Sequence, residues 1–214
     1  MPGKFITLEG IEGSGKSLQA SLLAEELKRR QVPFLLTHQP GGTSFGRELR
    51  EVLLNREGPG REPMSELLLY LADRYQHLQE VIEPALTRGE ILICDRYHDA
   101  TLAYQGYARG IGLDVVARLS GPLQLRTPDL TLILDLEVET GLSRARERNR
   151  QRQEEGLGRF ESEGLDFHAR VREGYRVIAS REPGRVLLLD ASGTPQPLFQ
   201  KILAVLEQRG MLNP

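Results

Sequence analysis

The chain has 214 residues, of which 28 are basic and 30 acidic, so its formal net charge is −2. This balance excludes the strong basic field of most nucleic-acid-binding proteins, so we expect no nucleic-acid partner and a locally built site for any anion. Cys94 is the only cysteine, which excludes an intramolecular disulfide and favours a reducing compartment. The sequence shows neither a signal-peptide pattern nor an apolar run of membrane-spanning length, so we expect a cytoplasmic protein without a membrane partner.

Short apolar runs alternate with longer amphipathic runs along the chain. The apolar runs predict strands over residues 5–8, 34–37, 91–94, 130–136 and 186–189. The amphipathic runs predict helices over residues 17–30, 45–54, 64–86, 140–153 and 198–208, and a further helix from about residue 166. We expect Pro84 to bend the third of these helices. The alternation predicts a single α/β domain over residues 1–214, with a parallel five-stranded sheet and helices on both faces.

The first predicted strand leads into a glycine-rich segment with the sequence Gly-Ile-Glu-Gly-Ser-Gly-Lys-Ser. The segment matches the G-x-x-x-x-G-K-[ST] pattern of a P-loop at every fixed position, and it lies between a strand and a helix, as that pattern requires. Its glycines let backbone N–H groups surround an anion, and the helix start adds partial positive charge. The sequence therefore predicts a P-loop NTPase fold, with a ligand-free glycine-rich turn as the alternative. The expected ATP-binding residues are Gly10, Ile11, Glu12, Gly13, Ser14, Gly15, Lys16 and Ser17.

Four side chains are candidates for phosphate and metal chemistry. Lys16 is placed to bind the β- and γ-phosphates, and the Ser17 hydroxyl is placed to bind Mg²⁺. Asp95 ends a predicted strand, where it can serve the same Mg²⁺ through water, and Arg96 follows it and can bind a phosphate. The alternative for Asp95 and Arg96 is a structural ion pair. The N-K-x-D pattern by which GTPases read guanine is missing from the sequence.

An arginine-rich segment leads into a run interrupted by Gly156 and Gly158. We expect most of its arginines to lie on a solvated helix face. These arginines are Arg144, Arg146, Arg148, Arg150 and Arg152. Arg159 differs because it follows the two glycines, in a segment of about residues 150–165 that is placed to close over the site as a short lid. A lid excludes water, which would otherwise accept the phosphoryl group.

Taken together, these motifs resemble the bacterial thymidylate kinase family, which phosphorylates dTMP to dTDP with ATP and Mg²⁺. The resemblance covers nearly the whole chain. Besides the P-loop, it rests on Gln-Pro-Gly-Gly-Thr at 39–43, Asp-Arg-Tyr at 95–97, Leu-Ala-Tyr-Gln-Gly at 102–106, Pro-Asp-Leu-Thr at 128–131 and Leu-Asp at 134–135. It implies a homodimer. A kinase of another nucleotide or deoxynucleoside, and an ATP-binding switch that hydrolyses slowly and recruits a partner, remain the alternatives.

The resemblance also implies roles in nucleoside recognition for matching positions. Tyr70 matches an aromatic ring that stacks on thymine, and Arg74 matches an arginine that donates to an exocyclic oxygen of the base. Their spacing of four residues places them on one helix face, although a core tyrosine beside a surface ion pair would show the same spacing. Thr101 and Gln105 match positions around the base edge. Tyr104 matches a ring that crowds the 2′ position of the sugar and so favours deoxyribose.

Other implied roles concern charge. Arg50 and Arg96 match arginines near the acceptor phosphate, and Glu9 matches an acid near the acceptor and the metal. One branch of the family carries its catalytic arginine inside the P-loop, where this chain has Glu12, so the chain resembles the branch with the arginine in the lid. Arg159 is the candidate for that role. The expected catalytic residues are Lys16, Arg96, Arg159 and Glu9, acting by direct in-line transfer.

One position departs from the family pattern. The family usually has glutamate before Pro-Gly-Gly, and this chain has Gln39. A neutral amide keeps the capacity for hydrogen bonds but loses a charge. An ionic role at this position is therefore not expected here.

Overall fold

The five predicted strands form one sheet. The computed structural model describes residues 3–55, 60–151, 160 and 163–212. The strands are β1 Lys4–Glu9, β2 Phe34–His38, β3 Ile91–Asp95, β4 Leu130–Asp135 and β5 Val186–Asp190. All four pairings are parallel, and the spatial order is β2-β3-β1-β4-β5. The predicted parallel five-stranded sheet is therefore confirmed.

Helices connect the strands. Those of the described residues are α1 Lys16–Arg29, α2 Ser44–Leu54, α3 Pro63–His77, α4 Glu83–Thr87, α5 His98–Thr101, α6 Leu113–Ser120, α7 Val138–Gln151, α8 Leu165–Arg181 and α9 Pro195–Gln208. The same described part of the chain also contains the π-helical segments Leu78–Ile82 and Leu102–Ala108 and the 3₁₀ turn Gly121–Leu123. No helix in the described part of the chain has both the length and the apolar composition needed to cross a bilayer.

Alternate residues of the central strands pack on opposite faces of the sheet. Ile91 and Ile93 of β3 belong to one fully buried cluster, whereas Leu92 and Cys94 belong to another. Successive side chains of a strand point to opposite sides, so two clusters on one strand mean that both faces are covered. Each such buried aliphatic side chain contributes about 1.5–3 kcal/mol relative to exposure. Cys94 is fully buried in the second of these clusters.

The long helix predicted over residues 64–86 is interrupted. It runs as α3, then the π-helical turn Leu78–Ile82, then α4, with Pro84 in the first turn of α4. Proline has no N–H to donate, and its ring crowds the carbonyl four residues earlier. The wider turn just before Pro84 accommodates that loss, and the helix changes type at this point.

The segment between β3 and β4 is helical, which the sequence pattern did not predict. It comprises α5, the π-helical segment Leu102–Ala108, α6 and the 3₁₀ turn. The buried residues of the π-helical segment are nearly consecutive: Ala103, Tyr104, Gln105, Gly106 and Ala108. A helix buried on several sides shows no amphipathic period. Hydrophobic periodicity therefore could not predict a helix in this segment, which packs against α8.

The strand register brings the functional segments to one edge. Asp95 pairs with Leu8 of β1 and with His38 of β2. The P-loop follows β1, Arg96 follows β3 and Gln39 follows β2, so all three segments leave the sheet at adjacent carboxyl ends. This is the edge at which parallel α/β sheets bind ligands.

Candidate active site

Close backbone packing shapes the P-loop. Gly13 has φ 71°, in the left-handed region, and a Cβ placed there would lie 1.9 Å from the carbonyl oxygen of Gly141. Only glycine fits such an approach without moving the backbone of α7. Gly15, with φ 95°, leads directly into α1. The loop therefore presents its amides at the start of a helix, where backbone donors and the helix dipole both favour an anion.

The lysine of the loop is held close to the loop backbone. The Lys16 ammonium donates to the carbonyl oxygen of Ile11 at 2.7 Å and lies 3.3 Å from the Ser14 hydroxyl. Burial, followed by the nearby positive charge of Arg96, lowers the pKa of Lys16 to about 8. Both causes disfavour the charged form, and an anion placed beside the ammonium would offset both.

The two expected metal ligands lie side by side. The Ser17 hydroxyl donates a short hydrogen bond to a carboxylate oxygen of Asp95. A hydroxyl and a carboxylate are hard oxygen donors of the kind that Mg²⁺ takes, and Mg²⁺ usually keeps several waters besides one or two protein groups. The described residues contain no group of three His, Cys, Asp or Glu side chains that could hold a metal. The donor pair thus fits an ion that is completed by water and nucleotide phosphates.

Arg96 is fixed in an unusual backbone conformation. Its φ is 67°, and its amide donates to the carbonyl oxygen of Leu8 at 3.0 Å. A non-glycine residue in this region carries about 1–3 kcal/mol of strain, which the surrounding contacts must offset. Its Nη1 donates to Gly10 O at 2.9 Å and Tyr175 Oη at 3.3 Å, and its Nη2 donates to Glu12 Oε1 at 2.9 Å. These contacts hold the guanidinium against the P-loop.

The carboxylate of Glu12 is held by side chains from outside the P-loop. Besides Arg96, it accepts the hydroxyl of Tyr104 at 2.7 Å, and His168 Nδ1 lies 3.3 Å from its second oxygen. Burial alone would raise the pKa of Glu12, but the charge of Arg96 and these neighbours outweigh it and hold the pKa below its ordinary value. An ATP contact by Glu12, as predicted from its place in the motif, would therefore come from its backbone.

Glu9 is fully buried beneath the site. It accepts the backbone N–H of Tyr97 at 2.6 Å and the Tyr175 hydroxyl at 2.8 Å. Burial, reinforced by the negative charge of Asp99, raises the pKa of Glu9 to about 7. The carboxylate of Glu9 thus contacts the turn that carries Arg96, by accepting a backbone N–H of that turn.

The residues expected to recognise the nucleoside lie together on α3 and the segment after β3. Arg74 is 2 % exposed, and its guanidinium donates to Thr101 Oγ1 at 2.6 Å and to the side-chain oxygen of Gln39. Its Cζ lies 4.9 Å from the ring centroid of Tyr97. The buried Tyr70 stands one helical turn before Arg74. The alternative of a surface ion pair does not hold, since Arg74 is buried.

The remaining expected acceptor-side residues have defined partners. Gln105 Nε2 donates to Glu66 Oε1 at 2.9 Å. Arg50 donates to the carbonyl oxygen of Pro40 at 2.8 Å, next to the cis peptide bond between Gln39 and Pro40. These contacts hold the two side chains in place in the cavity wall.

A single cavity of about 810 Å³ joins the P-loop residues to the residues expected to recognise the nucleoside. The predicted residues that line it are Glu12, Gly13, Gly15, Lys16, Ser17, Arg50, Tyr70, Arg74, Asp95, Arg96, Thr101, Tyr104 and Gln105. The structure does not place Glu9, Gly10, Ile11 and Ser14 on the cavity wall; they lie behind it, and all four are buried. Arg159 and most of the predicted lid lie outside the described residues.

Two arginines expected on a solvated helix face are exposed, and they also line the cavity. Arg144 and Arg148, one turn apart on α7, are both part of its wall. Arg144 also donates to the carbonyl oxygens of Ala191 and Ser192, each at 3.0 Å. The spacing of four residues could have placed both on one face, but nothing in the sequence indicated that this face meets the P-loop. Arg150 is exposed and pairs with Glu147, as expected for a solvated face.

Comparison with known proteins places this geometry in a family. A sequence model described as thymidylate kinase matches residues 8–202. The chain belongs to the thymidylate kinase family. It is 45% identical over 203 residues to a thymidylate kinase of Solidesulfovibrio magneticus, covering 94% of this chain and 97% of the relative. It is 47% identical over 211 residues to a thymidylate kinase of Desulfovibrio desulfuricans, covering 95% of this chain and 94% of the relative.

A solved structure agrees with the sequence comparison. The crystal structure of thymidylate kinase from Ehrlichia chaffeensis superposes with a TM-score of 0.75 at 32% identity, covering 96% of this chain and 99% of that one. The fold and the family predicted from the sequence are therefore confirmed, and membership of the thymidylate kinase family makes the chain a kinase.

Proposed function

We propose that this chain transfers the γ-phosphoryl group of ATP to dTMP, giving ADP and dTDP, with Mg²⁺ as the metal ion. The observation that carries the proposal is the single cavity in which the P-loop and the Tyr70–Arg74 pair both form the wall. Its volume lies within the range of small-molecule sites. A donor and an acceptor that share one cavity can react directly, without a covalent enzyme intermediate.

The donor side takes the triphosphate. The P-loop amides and the ammonium of Lys16 surround the β- and γ-phosphates, and Arg144 and Arg148 supply further positive charge on the same wall. The Ser17 hydroxyl and the Asp95 carboxylate, which are hydrogen-bonded to each other, would hold the metal ion. When bound, Mg²⁺ neutralises charge that develops on the phosphate oxygens.

The acceptor side recognises the thymine base. The ring of Tyr70 stacks on the base, and Arg74 donates to an exocyclic oxygen. Thr101 and Gln105 surround the base edge. Tyr104, held by Glu12, crowds the 2′ position of the sugar.

The transfer step needs orientation and positive charge more than a base. An oxygen of the dTMP phosphate is already anionic, so it attacks the γ-phosphorus as the bond to the bridging oxygen of ADP breaks. Arg96 and Arg50 hold the acceptor phosphate, and Arg159 stabilises the transferring group once the lid has closed. Glu9 supports the turn of Arg96 from below through the backbone of Tyr97.

The organisation around this site forms part of the same proposal. The chain is one kinase domain over residues 1–214 with a short lid at about residues 150–165. It acts in the cytoplasm as a homodimer, as the family resemblance implies. Its charge balance suggests that it has no nucleic-acid partner, and the lack of an apolar run of membrane-spanning length suggests that it has no membrane partner.

Initial rates with ATP and Mg²⁺ test the proposal. Each of dTMP, dUMP, dCMP, dGMP and dAMP is supplied in turn, and product is measured by separation of the diphosphate. We expect dTMP to give the highest kcat/KM. A preference for a purine would contradict the acceptor assignment. Release of ADP at the same rate with and without any monophosphate would instead support an ATP-binding switch.

A further inference from the structure

A buried hydrogen-bond chain lies behind the base-recognition arginine. Thr37 Oγ1 lies 2.8 Å from His77 Nε2, and Gln39 Nε2 lies 2.6 Å from His77 Nδ1. The side-chain oxygen of Gln39 then accepts from Arg74 Nη1, and Arg74 Nη2 donates to Thr101 Oγ1 at 2.6 Å. All five residues are less than a tenth exposed, and His77 is fully buried. His77 has no role in the mechanism described above.

Donors and acceptors in this chain can be arranged in only one way. A guanidinium has no acceptor atom, so Gln39 must present its oxygen to Arg74 and its NH₂ group to His77. His77 Nδ1 must therefore be the unprotonated nitrogen that accepts this NH₂. The proton of the neutral ring then lies on Nε2 and is donated to Thr37. The arrangement fixes the tautomer of His77 by hydrogen-bond partners alone.

The imidazole is also held in place by packing. A Cβ at Gly42 would lie 2.5 Å from His77 Nε2 and 2.6 Å from its Cδ2. The backbone of the Pro-Gly-Gly turn thus lies against the ring edge. Burial, followed by the positive charges of Arg74 and His38, lowers the pKa of His77 to about 3. The ring is therefore neutral near pH 7, in agreement with the tautomer that the hydrogen bonds require.

We infer that His77 is a positioning residue for dTMP recognition: it orients the Gln39 carboxamide so that its oxygen, and not its NH₂ group, holds Arg74. The inference rests on the proposed function, because it assumes that Arg74 reads the base. Without an acceptor at position 77, the NH₂ group of Gln39 loses its partner and the carboxamide can rotate. Its NH₂ group would then face the guanidinium, donor against donor, and displace it.

The same reasoning predicts when dTMP binding no longer depends on residue 77. A carboxylate accepts at both oxygens, so it offers Arg74 an acceptor in either orientation. Only the amide of Gln39, with a donor at one end, needs a partner that selects its orientation. A glutamate at position 39 should therefore make dTMP binding insensitive to the loss of His77.

A double-mutant cycle tests this positioning role. His77→Leu removes the acceptor and should raise the KM for dTMP about tenfold, the usual cost of a misplaced buried hydrogen bond. The kcat and the KM for ATP should change by less than about twofold, because Arg74 binds the base and not the donor. His77→Asn keeps an acceptor near the position of Nδ1 and should restore most of the affinity. His98→Leu, which removes a histidine outside this chain of hydrogen bonds, is the matched control and should leave the KM for dTMP unchanged.

The decisive variant is His77→Leu combined with Gln39→Glu. We expect its KM for dTMP to return to within about threefold of the value for Gln39→Glu alone, since the carboxylate needs no orientation. A double variant as weak as His77→Leu would overturn the inference, as would His77→Leu with an unchanged KM. Melting temperatures of all variants identify any that fail to fold.

A measurement on the free wild-type protein separates this inference from the proposed function. Nitrogen NMR of the histidine side chains reports which ring nitrogen of His77 carries the proton. Protonation at Nε2 alone supports the inference, and protonation at Nδ1 overturns it. If the enzyme failed to phosphorylate dTMP, the proposed function would fall while the tautomer result would still stand.

Discussion

The two sides of the cavity are built in different ways. The donor side is built mainly on one contiguous segment, residues 10–17, in which the backbone supplies most of the donors and Gly13 permits close packing against Gly141; Asp95, Arg144 and Arg148 join it from elsewhere in the chain. The acceptor side consists of side chains from several separate segments, joined by hydrogen bonds such as those of Arg74 to Gln39 and Thr101. A backbone site needs only local sequence, whereas a side-chain site needs the whole fold. Variants on the two sides should therefore fail in different ways.

The largest expected effect lies on the donor side. Lys16→Ala removes the ammonium that the P-loop holds at Ile11 O. Because this charge stabilises the transferring phosphoryl group, kcat should fall by about 10³-fold while the fold is retained. Steady-state kinetics and circular dichroism check this. Turnover close to that of the wild type would contradict the assignment of the P-loop.

The proposed lid arginine comes next. Arg159→Ala should lower kcat by about 10²-fold or more and change dTMP affinity far less, as expected for a contact made mainly in the transition state. Arg150→Ala, on the exposed face of α7, is a suitable comparison and should keep most of the activity. Losses of similar size in kcat and in dTMP affinity would assign Arg159 to substrate binding instead.

How far the sequence predicted each side follows from the same contrast. The role of residues 10–17 could be predicted from the sequence alone, because the P-loop pattern specifies a phosphate-binding loop between a strand and a helix. Tyr70 and Arg74 could be placed on one helix face, but the family resemblance was needed to connect them with Thr101 and Gln105. Neither spacing nor composition indicated that Arg144 lies beside the P-loop or that Arg96 pairs with Glu12.

The buried His77, on the acceptor side, should make the stability of the fold depend on pH. The pKa of His77 is lowered to about 3 in the fold from an ordinary value of 6.5. Below pH 6.5 the unfolded chain binds a proton at His77 that the folded protein does not bind. The contribution of His77 to the free energy of unfolding is therefore fully present above pH 6.5 and is lost as the pH falls. The contribution declines by up to about 1.4 kcal/mol per pH unit between 6.5 and about 3.

Denaturant unfolding between pH 7.5 and 5 measures this dependence. His77→Asn lacks the titrating group and should show a shallower loss of stability over the same range. His98, whose pKa is also lowered, to about 4, remains in both proteins and cancels in the comparison. Identical slopes for the two proteins would mean that His77 is not held neutral in the fold.

The smallest effect is expected at Thr101. Thr101→Val keeps the shape of the side chain but removes the acceptor for Arg74 Nη2, so the KM for dTMP should rise about three- to tenfold with little change in kcat. Thr7→Val removes a buried hydroxyl pair with Thr131 in the sheet and should lower the melting temperature without changing that KM. If both variants bound dTMP equally well, Arg74 would not depend on Thr101.

Calorimetric titration of ATP with Mg²⁺, and separately of dTMP, into the wild type, Lys16→Ala and Arg74→Ala tests the division of the cavity most directly. We expect a crossed pattern, in which Lys16→Ala weakens ATP binding at least tenfold and leaves dTMP within about twofold, and Arg74→Ala does the reverse. Weakening of the same ligand by both substitutions would contradict a cavity with separate donor and acceptor sides.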